Sequence, residues 1–125
     1  MFKIENNKIH LTRGDVATIE VKAKTEDGTD YIFQKDDVVK LNVFKYKDCS
    51  YIVLTKEVNV TELTKSLKIN LSSEDTTIGE LINKPVKYWY EIILNPDTEE
   101  QTIIAYDEEG AKEFWLYPEA KEDDN

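Results

Sequence analysis

The chain is expected to be all-β: an antiparallel β-sandwich of immunoglobulin-like type, with roughly seven or eight strands and one short helical turn. Three observations predict it. Apolar and polar residues alternate with period 2 in short runs along most of the 125 residues. Clusters of turn-forming residues separate those runs. A single stretch, Ser72-Ser73-Glu74-Asp75, carries the spacing of a capping box, and it predicts one helical turn.

Taken in order, the first clear strand is "VATIEVKAK", with Ala17, Ile19, Val21 and Ala23 on one face and Thr18, Glu20 and Lys22 on the other. "EDGT" at 26–29 is a turn signal. "VVKLNVFK" at 38–45 resumes the alternation with Val39, Leu41 and Val43, and "YIVLTKEV" follows as a third run. "SLKINL" at 66–71 places Leu67, Ile69 and Leu71 on one face before the helical turn. "KYWYEIILN" at 87–95 is rich in aromatic and β-branched residues and closes on Asn95-Pro96-Asp97. "EQTIIAY" and "KEFWLYP" complete the series around the turn "DEEG" at 107–110.

Residues 1–118 are expected to form one domain, followed by an acidic disordered tail at 119–125, where "EAKEDDN" offers no apolar anchor. A hydrophobic content of 40% suffices for one modest core. With 26 acidic residues against 16 basic ones the formal charge is −10, which disfavours nucleic-acid phosphates and anionic lipid as partners. The start "MFKIENNKIHLTRG" has no apolar signal core, and no window approaches a membrane span. Cys49 is the only cysteine, which suits a reducing compartment.

Arg13-Gly14-Asp15 spells a tripeptide that serves some extracellular ligands as an integrin-docking loop. Its context predicts a structural turn instead, since Asp15 leads directly into four alternating core positions and Gly14 can supply the positive φ of a turn. The Asp15 carboxylate is expected to accept hydrogen bonds from nearby backbone N–H groups. "DVATIEV" at 15–21 and "DVVKLNV" at 37–43 share a pattern, so Asp37 is expected to start its strand in the same way.

The stretch "IHLTRGDVATIEVKAKTEDGTDYIFQKDDVVKLNVFK", then "LKINLSSEDT", then "YWYEIILN" resembles the N-terminal domain of siphophage upper baseplate proteins and related small prophage tail proteins. In that family a Leu-Thr-Arg-Gly-Asp strand start precedes an Asp-Gly turn and a second Asp-led strand. A Ser-x-Glu-Asp-Thr turn and a Tyr-x-Tyr-x-Ile strand follow. The pieces stand here in that order over about residues 9 to 95. One departure is Lys35-Asp36-Asp37, where the family more commonly has Gly-Asp. No coiled-coil or receptor-binding extension follows in the sequence, so the resemblance implies a stand-alone domain, with receptor binding left to another protein. It also implies a non-enzymatic component of a phage or prophage tail, associated with the baseplate. Its partners would be other virion proteins or further copies of itself, in the virion and, during assembly, in the host cytoplasm.

The residues themselves point away from catalysis. His10 is the only histidine and has no Ser or Cys nucleophile pattern beside it, and Cys49 lies in a hairpin loop without a Lys-His pair to activate it. Carboxylates cluster in turns, which reads as solvation, and neither "DEEG" nor "PDTEE" has the ligand spacing of an EF-hand loop. No catalytic residue, metal or cofactor is expected. The aromatic residues carry the other functional class. If Tyr88, Tyr90, Ile92 and Leu94 face the core, Trp89 and Ile93 face outward, and Trp115 and Tyr117 oppose Phe114 and Leu116. Trp89, Trp115 and Tyr117 are therefore the expected partner-binding residues, because such rings are enriched at interface hot spots. The alternatives are a carbohydrate- or surface-binding module, a capsid decoration protein, or the opposite phase with both tryptophans in the core.

Overall fold

Backbone pairing converts the alternating runs into strands. β1 (Phe2–Glu5) and β2 (Lys8–Thr12) form an N-terminal hairpin, followed by β3 (Ala17–Val21), β4 (Val38–Phe44), β5 (Ile52–Asn59) and β6 (Leu67–Leu71). One helical turn, α1 (Ser73–Thr76), precedes β7 (Val86–Leu94). The two-residue strands β8 (Thr102–Ile103) and β9 (Tyr106–Asp107) lead to β10 (Gly110–Tyr117). The computed structural model describes residues 1–5, 7–23, 28–95, 102–103, 106–107 and 110–119, with the backbone alone at 102–103, 106–107 and 110.

The larger sheet has the order β1-β2-β10-β7-β4-β5, with β8 paired to the end of β7 and β9 to the start of β10; β3 and β6 form a second sheet of two strands. Ten strands thus stand among the described residues, where the pattern alone suggested seven or eight. The surplus is the N-terminal hairpin, whose first strand is too polar to signal itself, and the division of the run after residue 100 into short pieces. One pairing is not antiparallel: β2 runs parallel to β10, with Ile9 beside Phe114 and Leu11 beside Leu116. Alternation sets a strand's faces but not its neighbour's direction, so this pairing left no trace in the pattern.

The core lies between the two sheets. Ile19 and Ile69 from the small sheet join Leu41, Ile92, Phe114 and Leu11 from the large one in a single buried cluster. The in-facing phase expected for β3, β4, β6, β7 and β10 is the one observed. Burying such an aliphatic side chain contributes about 1.5–3 kcal/mol. Phe33 is also fully buried, fixed by its backbone pairing with Thr64, where its N–H donates to the Thr64 carbonyl at 2.8 Å. The helical turn after β6 carries the expected capping box: the Asp75 N–H donates to Ser72 Oγ at 3.1 Å and the Ser72 N–H to Asp75 Oδ2 at 2.8 Å. Lys56 Nζ reaches the same Asp75 oxygen at 2.9 Å and ties the turn to β5. Of the expected tail at 119–125, only exposed Glu119 belongs to the described residues.

The Arg13-Gly14-Asp15 turn is built differently from its sequence expectation. Arg13, 8% exposed, inserts its guanidinium under the loop before β7, where Nε donates to the Ile78 carbonyl at 3.1 Å and Nη2 to the Gly79 carbonyl at 2.6 Å. Held that way, it offers no adhesive side chain. Gly14 has φ of +87°, a left-handed conformation that favours glycine; the nearest atom to a Cβ there, Glu119 Oε1 at 2.7 Å, ends a flexible exposed side chain that can move aside. The Asp15 N–H closes the turn onto the Thr12 carbonyl at 3.0 Å, and its own carbonyl accepts from Thr76 Oγ1 at 2.6 Å. The carboxylate accepts from the Met1 amino group, not from backbone N–H groups. The Asx-turn reading of Asp15 is corrected accordingly.

Asp37 does perform the role that Asp15 does not. Its Oδ2 accepts from the Gln34 N–H at 2.8 Å and the Tyr31 hydroxyl at 2.7 Å, and its Oδ1 from Asn95 Nδ2 at 3.1 Å. Asn95 in turn accepts the Val38 N–H at 2.9 Å, so one cluster pins the start of β4 to the end of β7. The adjacent Asp36 has φ of 74°, a left-handed conformation that glycine adopts without strain.

Arg13→Ala is expected to cost about 2–3 kcal/mol in urea unfolding, since it orphans two backbone carbonyls that a charged donor satisfies. Asp15→Ala, which removes only an exposed ion pair, is expected to cost under ~1 kcal/mol. Equal losses for the two variants would contradict this division of labour.

Candidate functional site: the outer face of the large sheet

The face of the large sheet turned away from the core gathers the aromatic residues expected to bind partners. Trp89 stands on β7, and Trp115 and Tyr117 on β10, all half-buried. Strand register brings them together: Phe44, Trp89 and Glu113 lie abreast across β4, β7 and β10, and Lys87, Trp115 and His10 lie abreast in the next row across β7, β10 and β2. Directly opposed residues share a face of the sheet, so each row is a set of neighbours.

Polar contacts hold the rings in place. The Trp115 indole N–H donates to Glu113 Oε1 at 2.8 Å, and Tyr117 and His10 share a hydrogen bond at 2.9 Å between the hydroxyl and Nδ1. The Lys87 ammonium lies 4.8 Å from the centroid of Trp89 and 5.5 Å from that of Trp115, and Lys47 approaches Trp89 from the hairpin at 5.6 Å. An exposed contact of this kind contributes about 0.5–1 kcal/mol. Farther along the face, Thr55 Oγ1 donates to Asn42 Oδ1 at 3.0 Å and Asn42 Nδ2 to Glu91 Oε1 at 3.3 Å. The face is not uniformly wet, because Phe44, Ile93 and Ala111 on it are buried. For Ile93, outward orientation therefore does not mean exposure.

The face continues onto the tip of the β4–β5 hairpin. Tyr46, Tyr51 and Ile52 are exposed there, and Lys45 Nζ lies 5.6 and 5.5 Å from the centroids of Tyr46 and Tyr51. Cys49 and Tyr51 both have left-handed backbone, with φ of 66° and 62°. For a bulky residue such as Tyr51 this is an uncommon conformation, held by the Lys45 N–H on the Tyr51 carbonyl at 2.9 Å. Desolvation raises the Cys49 thiol above its usual range, and the nearby Glu91 and Asp48 carboxylates add to it. The thiolate is thus disfavoured, the reverse of an activated nucleophile.

Sequence reasoning placed the three aromatic residues on the outward face but did not place the lysines beside them. Lys87 and Trp89, two positions apart on one strand, must share a face, and that signal was readable. The approach of Lys47 from a hairpin tip depends on register and was not. No group of three or more His, Cys, Asp or Glu side chains among the described residues is placed to hold a metal ion, and the two acidic turns weighed for calcium lie largely outside those residues. Among the described residues no helix is long and apolar enough to cross a membrane. A broad groove lined in part by Arg13, Asp15, Leu81, Ile82 and Glu119 opens at the end of the sheet where β10 finishes, and its guanidinium is already committed to backbone carbonyls.

The Asp37 cluster beside this sheet has a titration signature. Desolvation pushes the Asp37 carboxyl up, but the Gln34 N–H, the Tyr31 hydroxyl and the Asn95 amide together hold it below the ordinary carboxylate range. Its contribution to stability is therefore complete above about pH 4 and is lost as pH falls through the lowered folded value. Asp37→Asn is expected to flatten the acid limb of a melting-temperature profile below pH 4, at the cost of lower stability at neutral pH. An acid limb identical to that of the parent protein would contradict the assignment. Comparison with known proteins finds no matching family model, no matching curated protein and no matching solved structure.

Proposed function

We propose that the chain is a non-catalytic, immunoglobulin-like β-sandwich that serves as a structural component of a phage or prophage tail, docking on a neighbouring virion subunit through the outer face of its large sheet. The observation that carries the interaction is the placement of Trp89 and Trp115 in adjacent rows of that face, with Tyr117 at the next position along β10 on the same side, turned away from the core and with Trp115 and Tyr117 braced by hydrogen bonds within the chain. Preorganised aromatic groups of this kind lose little side-chain entropy on binding.

The fold assignment rests on strand order. The run β10-β7-β4-β5 facing β3-β6 has the arrangement of strands G, F, C and C′ facing B and E in a variable-type immunoglobulin domain. Tyr88 lies near the start of β7 with its hydroxyl close to Gly79 upstream, which is consistent with that order. The tail assignment rests on the ordered resemblance of residues 9 to 95. A sugar platform is disfavoured, since stacking on a sugar needs open ring faces and here lysine ammonium groups lie over both tryptophans.

Co-sedimentation with purified tail particles tests this reading. Trp89→Ser, Trp115→Ser and Tyr117→Ser combined is expected to abolish binding while the isolated protein keeps its β-type circular dichroism; truncating one hot-spot side chain costs about 2–4 kcal/mol. Undiminished binding by the triple variant would remove the aromatic face from the interface. A protein that ignores tail particles but binds on a glycan array would belong to the carbohydrate-binding class.

A further inference from the structure

We propose that the occupant of this outer face is a second copy of the chain, packed face to face about a two-fold axis near the middle of the large sheet. The inference rests on reading the face as an interface and names what covers it. Strand register assigns the outward side chains of the six strands that run from β1 to β5. Lys3, Lys8, Lys40 and Lys87 are the cations among them. Glu5, Glu57, Glu91 and Glu113 are the anions. Four charges of each sign cancel, so of the chain's 16 basic and 26 acidic residues 12 and 22 remain elsewhere, and they carry the whole formal charge of −10. The outer face is thus a neutral side of an acidic protein. Net repulsion between two copies arises away from the contact, and it is screened beyond about 8 Å at physiological ionic strength.

The layout of the face suits self-association. β10 and β7 are the middle strands of the six, so Trp89 and Trp115 lie at the centre, with Lys3, Glu5 and Lys8 on one flank and Lys40 and Glu57 on the other. Central aromatic anchors inside a polar rim are the usual anatomy of a specific interface. Within the chain each sign already neighbours its opposite: Lys8 Nζ lies 3.8 Å from Glu113 Oε2, Lys3 Nζ lies 3.4 Å from Glu5 Oε2, and Lys40 stands opposite Glu57. A surface patterned in both signs matches a surface patterned the same way, and a two-fold axis in the interface can set lysines of one copy against glutamates of the other. A partner of one sign gains nothing from that balance. Lys47 and Lys87 lie over the rings on flexible stems, which can swing to a facing carboxylate as the rings meet the second copy. The size is adequate too. β10, β7, β4 and β5 have eight, nine, seven and eight residues. At a strand spacing of ~4.8 Å and a rise of ~3.3 Å per residue they project ~500 Å² before side-chain relief is added, the order of the ~800 Å² that each partner buries in a stable complex. Exposed Tyr46, Tyr51 and Ile52 at the hairpin tip extend the apolar area at one end.

Trp89 and Trp115 are the two tryptophans of the chain, so their emission reports on this face alone. Sedimentation velocity over a concentration series is expected to pass from monomer to dimer, with tryptophan emission shifting to shorter wavelength over the same range. Trp89→Ser with Trp115→Ser should raise the dissociation constant about tenfold or more. Charge tests the same face without touching the rings: Lys40→Glu with Lys87→Glu makes it acidic, and Glu57→Lys with Glu91→Lys makes it basic. Each of these variants alone should dimerise about tenfold more weakly or worse, and an equimolar mixture of the two should restore the dimer as a mixed pair. Lys22→Glu with Lys68→Glu, exposed on the small sheet, alters the net charge as much as the acidic-face variant and should leave association nearly unchanged. Circular dichroism checks that every variant is folded. A monomer at all concentrations, a dimer undiminished in both charge variants, a mixture that does not pair, or an equal loss in the small-sheet control would overturn the proposal. If tail binding is lost in the triple-serine variant while the parent protein stays monomeric, the face belongs to a different subunit and the second copy falls. If the chain dimerises through this face but ignores tail particles, the self-docking surface stands and the virion assignment falls.

Discussion

A two-stranded sheet has to cover one face of a sheet with four times its strand number, and the rest of the architecture follows from that mismatch. β3 and β6 supply five residues each, alternately buried, and cannot shield all of β2, β10, β7 and β4. Loops complete the cover: Phe33 through its pairing with Thr64, and Ile78 through the buried guanidinium of Arg13 that clamps its carbonyl. A charged side chain is suited to this task because its planar fork satisfies two consecutive carbonyls at once, as an apolar contact cannot. The hydroxyl of Thr76, buried beneath, fastens the helical turn to the same region through the Asp15 carbonyl.

The legible part of the fold was whatever depends on alternation. Val39, Leu41 and Val43, or Tyr88, Tyr90 and Ile92, declare a buried face because side chains on a strand alternate between its two faces. Partner choice between strands depends on three-dimensional neighbours, so the parallel pairing of β2 with β10 and the separation of β3 from β4 into different sheets were not legible. The repeated Asp-Val pattern shows the same limit. Asp15 and Asp37 begin similar strands, yet one carboxylate meets the Met1 amino group and the other organises Tyr31, Gln34 and Asn95. Nothing local distinguishes them; what lies across the gap does. At the candidate site the tryptophans were readable from phase, and the lysines over them only from register.

The outer face also shows why exposure cannot be inferred from orientation. Trp89 and Ile93 point the same way from β7, but Ile93 is buried and lies beside the backbone of β8, whereas Trp89 is half-buried with the ammonium groups of Lys47 and Lys87 over its ring. A lysine stem can shield a ring while its ammonium stays near water. Such a cover is soluble and removable, which reconciles large aromatic residues on a surface with a chain that remains highly charged.

The parallel pairing of β2 with β10 has a consequence for how the chain acquires its structure. β10 sits between β2 and β7, so an early strand and the last described one meet in the interior of the large sheet, Ile9 against Phe114. During synthesis β2 must wait for residues 110–117 before its inner edge is occupied, and until then β7 also exposes an unpaired edge. Closing a loop of that size before any pairing rewards it makes folding slow relative to hairpin-rich proteins of similar length. A nascent chain arrested before β10 would carry two open strand edges at once, the state most prone to pairing with the wrong neighbour.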